Sequence, residues 1–257
     1  MSIKWPNNFY TASSLEEEEY VLKRGNCGFP NCGDIEKVLH FCLPPKSRTN
    51  PKAYSRIEGW KWLHPATEGW SVLIHQDPED DDIDGKEKQK RLFDLTSCKW
   101  DDCTCPVQRS GLMRLEAVYK YGGFYIDSDV EPRRPLNRLR NNHAVFVLQD
   151  EPFFYAPDYF FGAESRNEII LKAIERVMSL DMATAGPLGT GPENLTAVVK
   201  ETREQYRQSG SEYKVTILPP QCFAPVNYTE KHLLTGLKVI GGETFGVHLW
   251  EHSWKGF

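Results

Sequence analysis

Short apolar runs alternate with longer segments of helical periodicity through the first half of the chain. Ile35–Leu43 is an apolar, β-branched run closed by Pro44 and Pro45, which predicts a buried strand. The other predicted strands are Trp70–Ile74, Phe124–Ile126, Ala144–Leu148, Tyr213–Leu218 and Phe245–Trp250. The predicted helices are Tyr54–Leu63, Lys86–Leu95, Val107–Tyr121, Asn167–Leu180 and a segment that begins at Pro192. This alternation favours an α/β fold with a mainly parallel sheet and helices on both of its faces.

Length and composition place this fold in a single domain. A chain of 257 residues without an evident linker suits one α/β domain, which we assign to residues 35–257 after a loosely ordered lead-in at 1–34. A net charge of −5 without a long basic run argues against nucleic acid as a partner. No apolar run approaches the ~20 residues of a membrane span, and the polar N-terminus is unlike a signal peptide. The expectation is therefore a cytoplasmic protein without a membrane span.

The segment at residues 119–129 carries the most informative chemistry. A predicted helix ends at Gly122 and Gly123, the apolar run Phe124–Ile126 follows, and Asp127 and Asp129 come next, separated by one serine. A strand that ends in this way places two carboxylates at the open edge of a sheet, where α/β folds bind ligands. Carboxylates select hard cations such as Mg²⁺ and Mn²⁺, which can bridge a protein to a diphosphate. The two glycines lack a Cβ, so a ligand can approach their backbone closely.

Two paired carboxylates do not by themselves define a site, because the chain contains a second pair with the same spacing. Asp82 and Asp84 lie in the acidic run Asp77–Asp84, which predicts a solvated loop. A solvated turn after a strand also remains the structural alternative for Asp127 and Asp129. The seven cysteines, an odd number without a secretion signal, favour reduced thiols, although the cluster at residues 98–105 leaves a zinc site open.

Four stretches of the chain match one known family in the right order. They are Ser110–Asp129, Lys37–Phe41, Thr190–Pro192 and His248–Trp254. The first resembles the glycosyltransferase sugar-binding region with a DXD motif, and the others resemble the family's first strand, its Thr-Gly-Pro loop and its C-terminal His-x-x-x-x-Ser-Trp. This family includes the fungal initiating α-1,6-mannosyltransferase of the Golgi and, more distantly, the clostridial glucosylating toxins. The resemblance spans residues 35 to 254.

The resemblance implies a GT-A fold with a Rossmann-like sheet, a UDP- or GDP-sugar donor, a divalent cation (Mn²⁺ or Mg²⁺) and transfer with retention of configuration. We predict that Asp129 is the main metal ligand and that Asp127 binds the metal through water or binds a donor hydroxyl. His248 is the predicted third ligand, with Glu251 and Ser253 as rivals. A histidine with a purely structural role is the alternative for His248.

The residues predicted to bind the donor are His40, Phe41, Arg114, Gly122, Gly123, Asp127 and Trp254, and Arg114 also joins the two aspartates in the predicted catalytic set. Arg114 can form a fixed fork of hydrogen bonds to sugar hydroxyls or phosphate. His40 and Phe41 end the first strand, where base and ribose are expected to dock, and Trp254 is expected to pack over the diphosphate. A surface salt bridge for Arg114, a buried strand histidine for His40 and a core tryptophan for Trp254 are the structural alternatives.

One position departs from the family pattern. Gly111 stands where the family usually has an aspartate that helps to bind the donor. This keeps open a non-catalytic relative that binds nucleotide sugars or glycans, and a metal-dependent phosphohydrolase is a third alternative. The acceptor, a glycan or a protein, stays open, with Asp150 and Glu151 as candidates near it.

Overall fold

The computed structural model describes residues 20–21, 34–149, 155–209, 214–236 and 242–251. Its strands are β1 (Tyr20–Val21), β2 (Val38–Leu43), β3 (Ser71–Gln76), β4 (Gly123–Ile126), β5 (Val130–Pro132), β6 (Ala144–Val147), β7 (Phe160–Ala163), β8 (Lys214–Leu218) and β9 (Gly246–His248). Its α-helices are α1 (Pro51–Leu63), α2 (Ile83–Leu92), α3 (Pro106–Tyr121), α4 (Glu168–Met178), α5 (Met182–Ala185) and α6 (Pro192–Ser209). Within these described residues each predicted strand and helix is confirmed, with ends that differ by a few residues.

The main sheet has the strand order β1-β8-β6-β7-β4-β2-β3. Pairing is parallel between β2 and β3, β2 and β4, and β6 and β8. Strand β7 is antiparallel to both of its neighbours, so five of the six longer strands point the same way. The prediction of a mainly parallel α/β sheet is confirmed. Strand β7 was missed because its run Phe160–Ala163 is short and contains a glycine.

The sheet is buried on both faces, which explains why its central strands are apolar without alternation. One apolar cluster includes Leu112, Tyr125 and Ile170 and lies on the side of α3 and α4. A second cluster, which includes Leu39, Trp60 and Phe124, covers the opposite face under α1. Successive residues of β4 therefore face different cores while its carboxyl end stays open.

The acidic run is not the uniform solvated loop that its composition predicts. Asp82 caps α2, since its side chain accepts a hydrogen bond from the Gly85 N–H at 2.8 Å, so the helix begins at Ile83. Asp77, at the carboxyl end of β3, is only 3% exposed. The prediction was wrong for Asp77 because a residue directly after a sheet strand is held among neighbouring strand ends.

A small second sheet brings the last described strand beside the segment that follows β4. Strand β9 pairs antiparallel with β5, with Val130 opposite His248. Because β5 follows Asp129 directly, this pairing places His248 beside the two aspartates. No helix among the described residues has both the length and the apolar character that a membrane crossing would need.

Candidate active site

A cavity of about 360 Å³ opens at the carboxyl edge of the main sheet. Its size falls in the range of small-molecule sites. The residues that line it come from the ends of β2, β3, β4 and β6, from the residues before β7, and from the start of α3; among them are Pro44, Asp77, Asp127, Gln149, Asp158 and Ser110. The cavity therefore lies where parallel α/β sheets bind ligands, as the sequence predicted.

Asp127, Asp129 and His248 converge inside this cavity. One ligand atom from each lies within 4.8 Å of the others, and His248 Nε2 is 3.2 Å from Asp129 Oδ1. His248 Nδ1 is buried without a hydrogen-bond partner among the described residues. Two carboxylates and an imidazole form a donor set that suits Mn²⁺ or Mg²⁺. The three predicted ligands are thus brought together, and the part of the chain that is described contains no comparable cluster of cysteines.

The two aspartates differ in their electrostatic surroundings. Burial raises the pKa of Asp127; Arg114 opposes this rise and Asp129 adds to it. Burial acts in the same direction on Asp129, but His248, the Glu251 N–H and Arg56 outweigh it and hold the pKa of Asp129 below its ordinary value. Asp129 is therefore the more firmly ionised carboxylate, in keeping with the prediction that it is the main metal ligand.

The segment after β9 is fastened over Asp129. The Leu249 N–H donates to the Asp129 carbonyl and the Glu251 N–H donates to Asp129 Oδ2, both at 3.0 Å. The Glu251 carboxylate pairs with Arg56 on α1 at 2.5 Å. Glu251, the predicted rival ligand, thus faces Arg56, while the other rival, Ser253, lies outside the described residues.

Aromatic rings hold His248 in place. Tyr159 stacks on the imidazole with ring centroids 4.3 Å apart, and Trp250 packs against the same imidazole at 4.1 Å with its ring plane tilted by 54°. Trp250 adopts a positive φ of 56° and its indole N–H donates to the Val226 carbonyl at 2.8 Å. A tryptophan with a positive φ is uncommon and costs free energy, so the contacts around Trp250 must hold its backbone in this conformation. Trp254, predicted to pack over the diphosphate, lies outside the described residues, whereas Trp250 lines the cavity.

Arg114 lies in the cavity wall, but its guanidinium nitrogens already make hydrogen bonds and ion pairs within the protein. Its guanidinium donates to Ser110 Oγ and to the Asp158 carbonyl, and it pairs with Asp158 Oδ2, each at 2.8 Å. Its Nη1 also lies 3.3 Å from Asp127 Oδ1, and its planar group covers the Tyr125 ring at 4.5 Å. Arg114 is thus placed to hold two carboxylates that would otherwise repel each other. Sequence reasoning missed Asp158, which precedes the strand that it also missed.

Four residues predicted to bind the donor are not in the cavity wall. His40 and Phe41 are both 0% exposed, and the His40 ring donates from Nε2 to the Gly122 carbonyl at 2.8 Å. A Cβ on Gly122 would collide with the Glu36 carboxylate, and one on Gly123 would lie 2.3 Å from the Val38 carbonyl oxygen. The double glycine therefore permits close packing against β2, and the structure does not support ligand contact by these four residues.

Gly111 also has a packing reason. A Cβ at this position would lie 2.9 Å from Thr190 Cβ and 3.1 Å from the Thr190 carbonyl oxygen. The family's aspartate would therefore collide with the Gly189–Pro192 loop as it stands. Leu188, just before that loop, and Pro192, its last residue, both line the cavity.

Comparisons with known proteins match part of the chain to a glycosyltransferase family model. Residues 55–146 match the family model described as the glycosyltransferase sugar-binding region containing DXD motif. Lactosylceramide 4-alpha-galactosyltransferase of Pan troglodytes is 27% identical over 167 residues, which cover 62% of this chain and 45% of that protein. Inositol phosphoceramide mannosyltransferase 1 of Schizosaccharomyces pombe is 22% identical over 149 residues, which cover 56% of this chain and 44% of that protein. The chain thus spans less than half the length of these curated relatives.

Solved structures support the fold. The PaToxG glycosyltransferase superposes with a TM-score of 0.52 at 13% identity, covering 69% of this chain and 74% of that one. The ligand-free glycosyltransferase domain of the YGT toxin superposes with a TM-score of 0.50 at 10% identity, covering 72% and 80%. The predicted GT-A fold and the resemblance to the DXD glycosyltransferases are confirmed.

Proposed function

We propose that this chain, which carries the DXD region of a glycosyltransferase, transfers a sugar from a nucleoside diphosphate donor to an acceptor hydroxyl and depends on a divalent cation. The observation that carries the proposal is the convergence of Asp127, Asp129 and His248 inside the cavity at the carboxyl edge of the sheet. Mn²⁺ is the expected cation, with Mg²⁺ as the alternative. We assign the activity to residues 35–257.

The donor set fits the cation because the residues around it leave ligand positions open. The Tyr125 hydroxyl donates to Asp127 Oδ1 at 2.6 Å, which leaves Oδ2 of that carboxylate for a ligand. Burial raises the pKa of Tyr125, so this hydroxyl keeps its proton and remains a donor. When bound, the cation supplies Lewis-acid stabilisation of the charge on the departing diphosphate.

Other side chains orient the reacting groups. Arg114 fixes Asp127 and Asp158 in one arrangement, and a preorganised array of charges needs little rearrangement during reaction. Tyr159 stacks on the His248 ring and Trp250 packs against it at an angle, and both limit the access of water to it. Asp158 is the carboxylate placed beside Arg114 where the donor sugar is expected, and it is our candidate for contact with sugar hydroxyls.

The relatives and the family resemblance support the proposed acceptor and the proposed stereochemistry of transfer. The two curated relatives are named for transfer to lactosylceramide and inositol phosphoceramide. On that basis we propose a glycan or glycolipid hydroxyl as the acceptor, in preference to a protein. We propose retention of configuration because the family that this chain resembles transfers sugars with retention.

Nucleotide release from a panel of UDP- and GDP-sugars in the presence of Mn²⁺ tests the proposal. We expect release from one donor, its loss with chelator, and its loss in Asp129→Asn. Asp84→Asn is the matched control, because it alters a carboxylate of the same spacing in an exposed helix turn. A folded protein that binds Mn²⁺ and nucleotide but releases nothing from any donor would favour the non-catalytic alternative.

A further inference from the structure

A buried carboxylate at the far end of the cavity has no role in the chemistry described above. Asp77 follows β3, lines the cavity and is 3% exposed. Its Oδ2 accepts two hydrogen bonds from Arg109, from Nε at 3.2 Å and from Nη2 at 2.9 Å. Its Oδ1 is buried and has no hydrogen-bond partner among the described residues. A buried acceptor without a donor is costly, so this oxygen is suited to a donor that arrives with a ligand.

The order of the strands shows which part of a donor would reach Asp77. Strand β2 lies between β3, which ends at Asp77, and β4, which ends at Asp127. Neighbouring strands are about 4.8 Å apart, so the two carboxylates are separated by roughly 10 Å along the sheet edge. If the proposed function holds and the diphosphate lies at Asp127 and Asp129, the nucleoside extends either towards Asp77 or towards Asp158.

The walls of the cavity favour the Asp77 end for the nucleoside. That end is lined by Leu43, Pro44, Pro106 and Val107, an apolar slot that suits the faces of a planar base. The Asp158 end carries a carboxylate beside Arg114, which suits sugar hydroxyls. The base would then lie between the end of β2 and the start of α3, with its edge towards Asp77.

We infer that Asp77 selects the nucleobase of the donor by accepting a hydrogen bond from the ring N–H of uracil or guanine. Both bases carry a ring N–H on the edge that faces away from the ribose. Cytosine and adenine carry a ring nitrogen lone pair there, which would face the carboxylate oxygen unfavourably. Arg109 has a positioning role, because its two hydrogen bonds keep Oδ2 occupied and leave Oδ1 for the ligand. The donor would accordingly be a uridine or guanosine diphosphate sugar.

The pKa of Asp77 agrees with a carboxylate oxygen, Oδ1, that lacks a hydrogen-bond donor among the described residues. Burial raises its pKa, and Arg109 opposes the rise only in part. A donated N–H from a ligand would stabilise the ionised form. This assignment rests on the proposed function, since it takes the position of the diphosphate from the metal cluster.

Calorimetric titration with Mn²⁺ and UDP, GDP, CDP, ADP or inorganic pyrophosphate tests the inference. For the unaltered protein we expect UDP or GDP to bind about ten- to a hundredfold more tightly than CDP and ADP, the effect of one hydrogen bond to a charged group. In Asp77→Asn this preference should fall to a fewfold, while the affinity for Mn²⁺-pyrophosphate stays unchanged. Asp81→Asn, an exposed carboxylate in the same acidic run, is the matched control and should keep the preference.

The outcomes separate this inference from the proposed function. Equal binding of all four nucleotides by the unaltered protein would overturn the role of Asp77 and leave the metal-diphosphate site intact. Loss of pyrophosphate binding in a folded Asp77→Asn protein would mean that Asp77 supports the site as a whole, which also overturns base selection. Failure of every nucleotide and of pyrophosphate to bind with Mn²⁺ would remove the proposed function and this inference together. Arg109→Gln, which keeps the Asp77 carboxylate, should weaken UDP or GDP binding less than Asp77→Asn does.

Discussion

Two hydrogen-bonded histidines behind the double glycine, the buried His40 and the partly buried His75, should make the fold sensitive to acid. The His40 ring donates from Nε2 to the Gly122 carbonyl, so its Nδ1 must accept the hydrogen bond that His75 Nε2 donates across 3.1 Å. A second proton on His40 would face the N–H of His75 directly. Burial lowers the pKa of His40 to about 4, and burial together with His40 lowers that of His75 to about 3.

The sign and size of the effect follow from proton linkage. In the unfolded chain both histidines titrate near their ordinary pKa of 6.5, whereas in the fold they stay neutral until about pH 4 or below. Between these values the unfolded state binds more protons, so stability is fully present above pH 6.5 and is lost as the pH falls. From pH 6.5 to 4.5 each histidine removes about 2.2 kcal/mol of the free energy of unfolding.

The difference between two proteins isolates this contribution. The half-buried Glu36 and the buried Asp77 have raised pKa values and act in the opposite direction, so the pH profile of one protein alone sums several contributions. His75→Gln keeps an N–H towards His40 but cannot titrate. Its loss of unfolding free energy between pH 6.5 and 4.5, measured by urea denaturation, should be about 2.2 kcal/mol smaller than that of the unaltered protein. His232→Gln, at an exposed histidine, controls for the loss of one imidazole. Identical losses in the unaltered protein and in His75→Gln would refute the reasoning.

Three further predictions concern the metal cluster and the loop beside it. His248→Ala should weaken Mn²⁺ binding at least tenfold by calorimetry, because it removes the one nitrogen ligand of the cluster; unchanged affinity would exclude His248 as a ligand. Gly111→Ala should lower the free energy of unfolding by about 1–3 kcal/mol through overpacking against the loop, whereas Gly242→Ala, with one neighbour at 3.8 Å, should be nearly neutral in the same denaturation experiment. Arg56→Glu should weaken Mn²⁺ binding severalfold by loosening the segment over Asp129, and adding Glu251→Arg should restore part of it; no recovery in the double variant would mean that the ion pair does not act on the metal site.

The members of the Asp127, Asp129 and His248 cluster could be predicted from sequence because the signal of each is local. Asp127 and Asp129 come directly after a predicted strand, which itself follows a predicted helix and a double glycine. His248 belongs to a short motif of its own. Their meeting depends on the β5–β9 pairing, which no local pattern encodes. The motifs therefore identified the candidate ligands, and the resemblance supplied the expectation that they meet.

The misplacement of His40 has a physical cause, which is that the sheet is covered on both faces. In such a sheet apolar strands lack alternation, so nothing in the sequence shows whether His40 reaches a ligand or the core. His40 proved to hold the Gly122 carbonyl instead. The burial of Asp77 and the position of Asp158 in the cavity were missed for a different reason, since aspartates in an acidic run or in a loop are usually solvated. Only the strand order brings these two carboxylates to the cavity.

The fastening of the chain's far segment onto Asp129 has a thermodynamic consequence. Glu251 and Asp129 lie 122 positions apart in sequence. A cation bound by both Asp129 and His248 would hold these two distant segments together in the folded state. A ligand that binds only the folded state stabilises it by about 2.7 kcal/mol at a free concentration of a hundred times its dissociation constant. The melting temperature would then report the free concentration of the cation. Variants at this edge of the sheet can be ranked for stability only when that concentration is held constant.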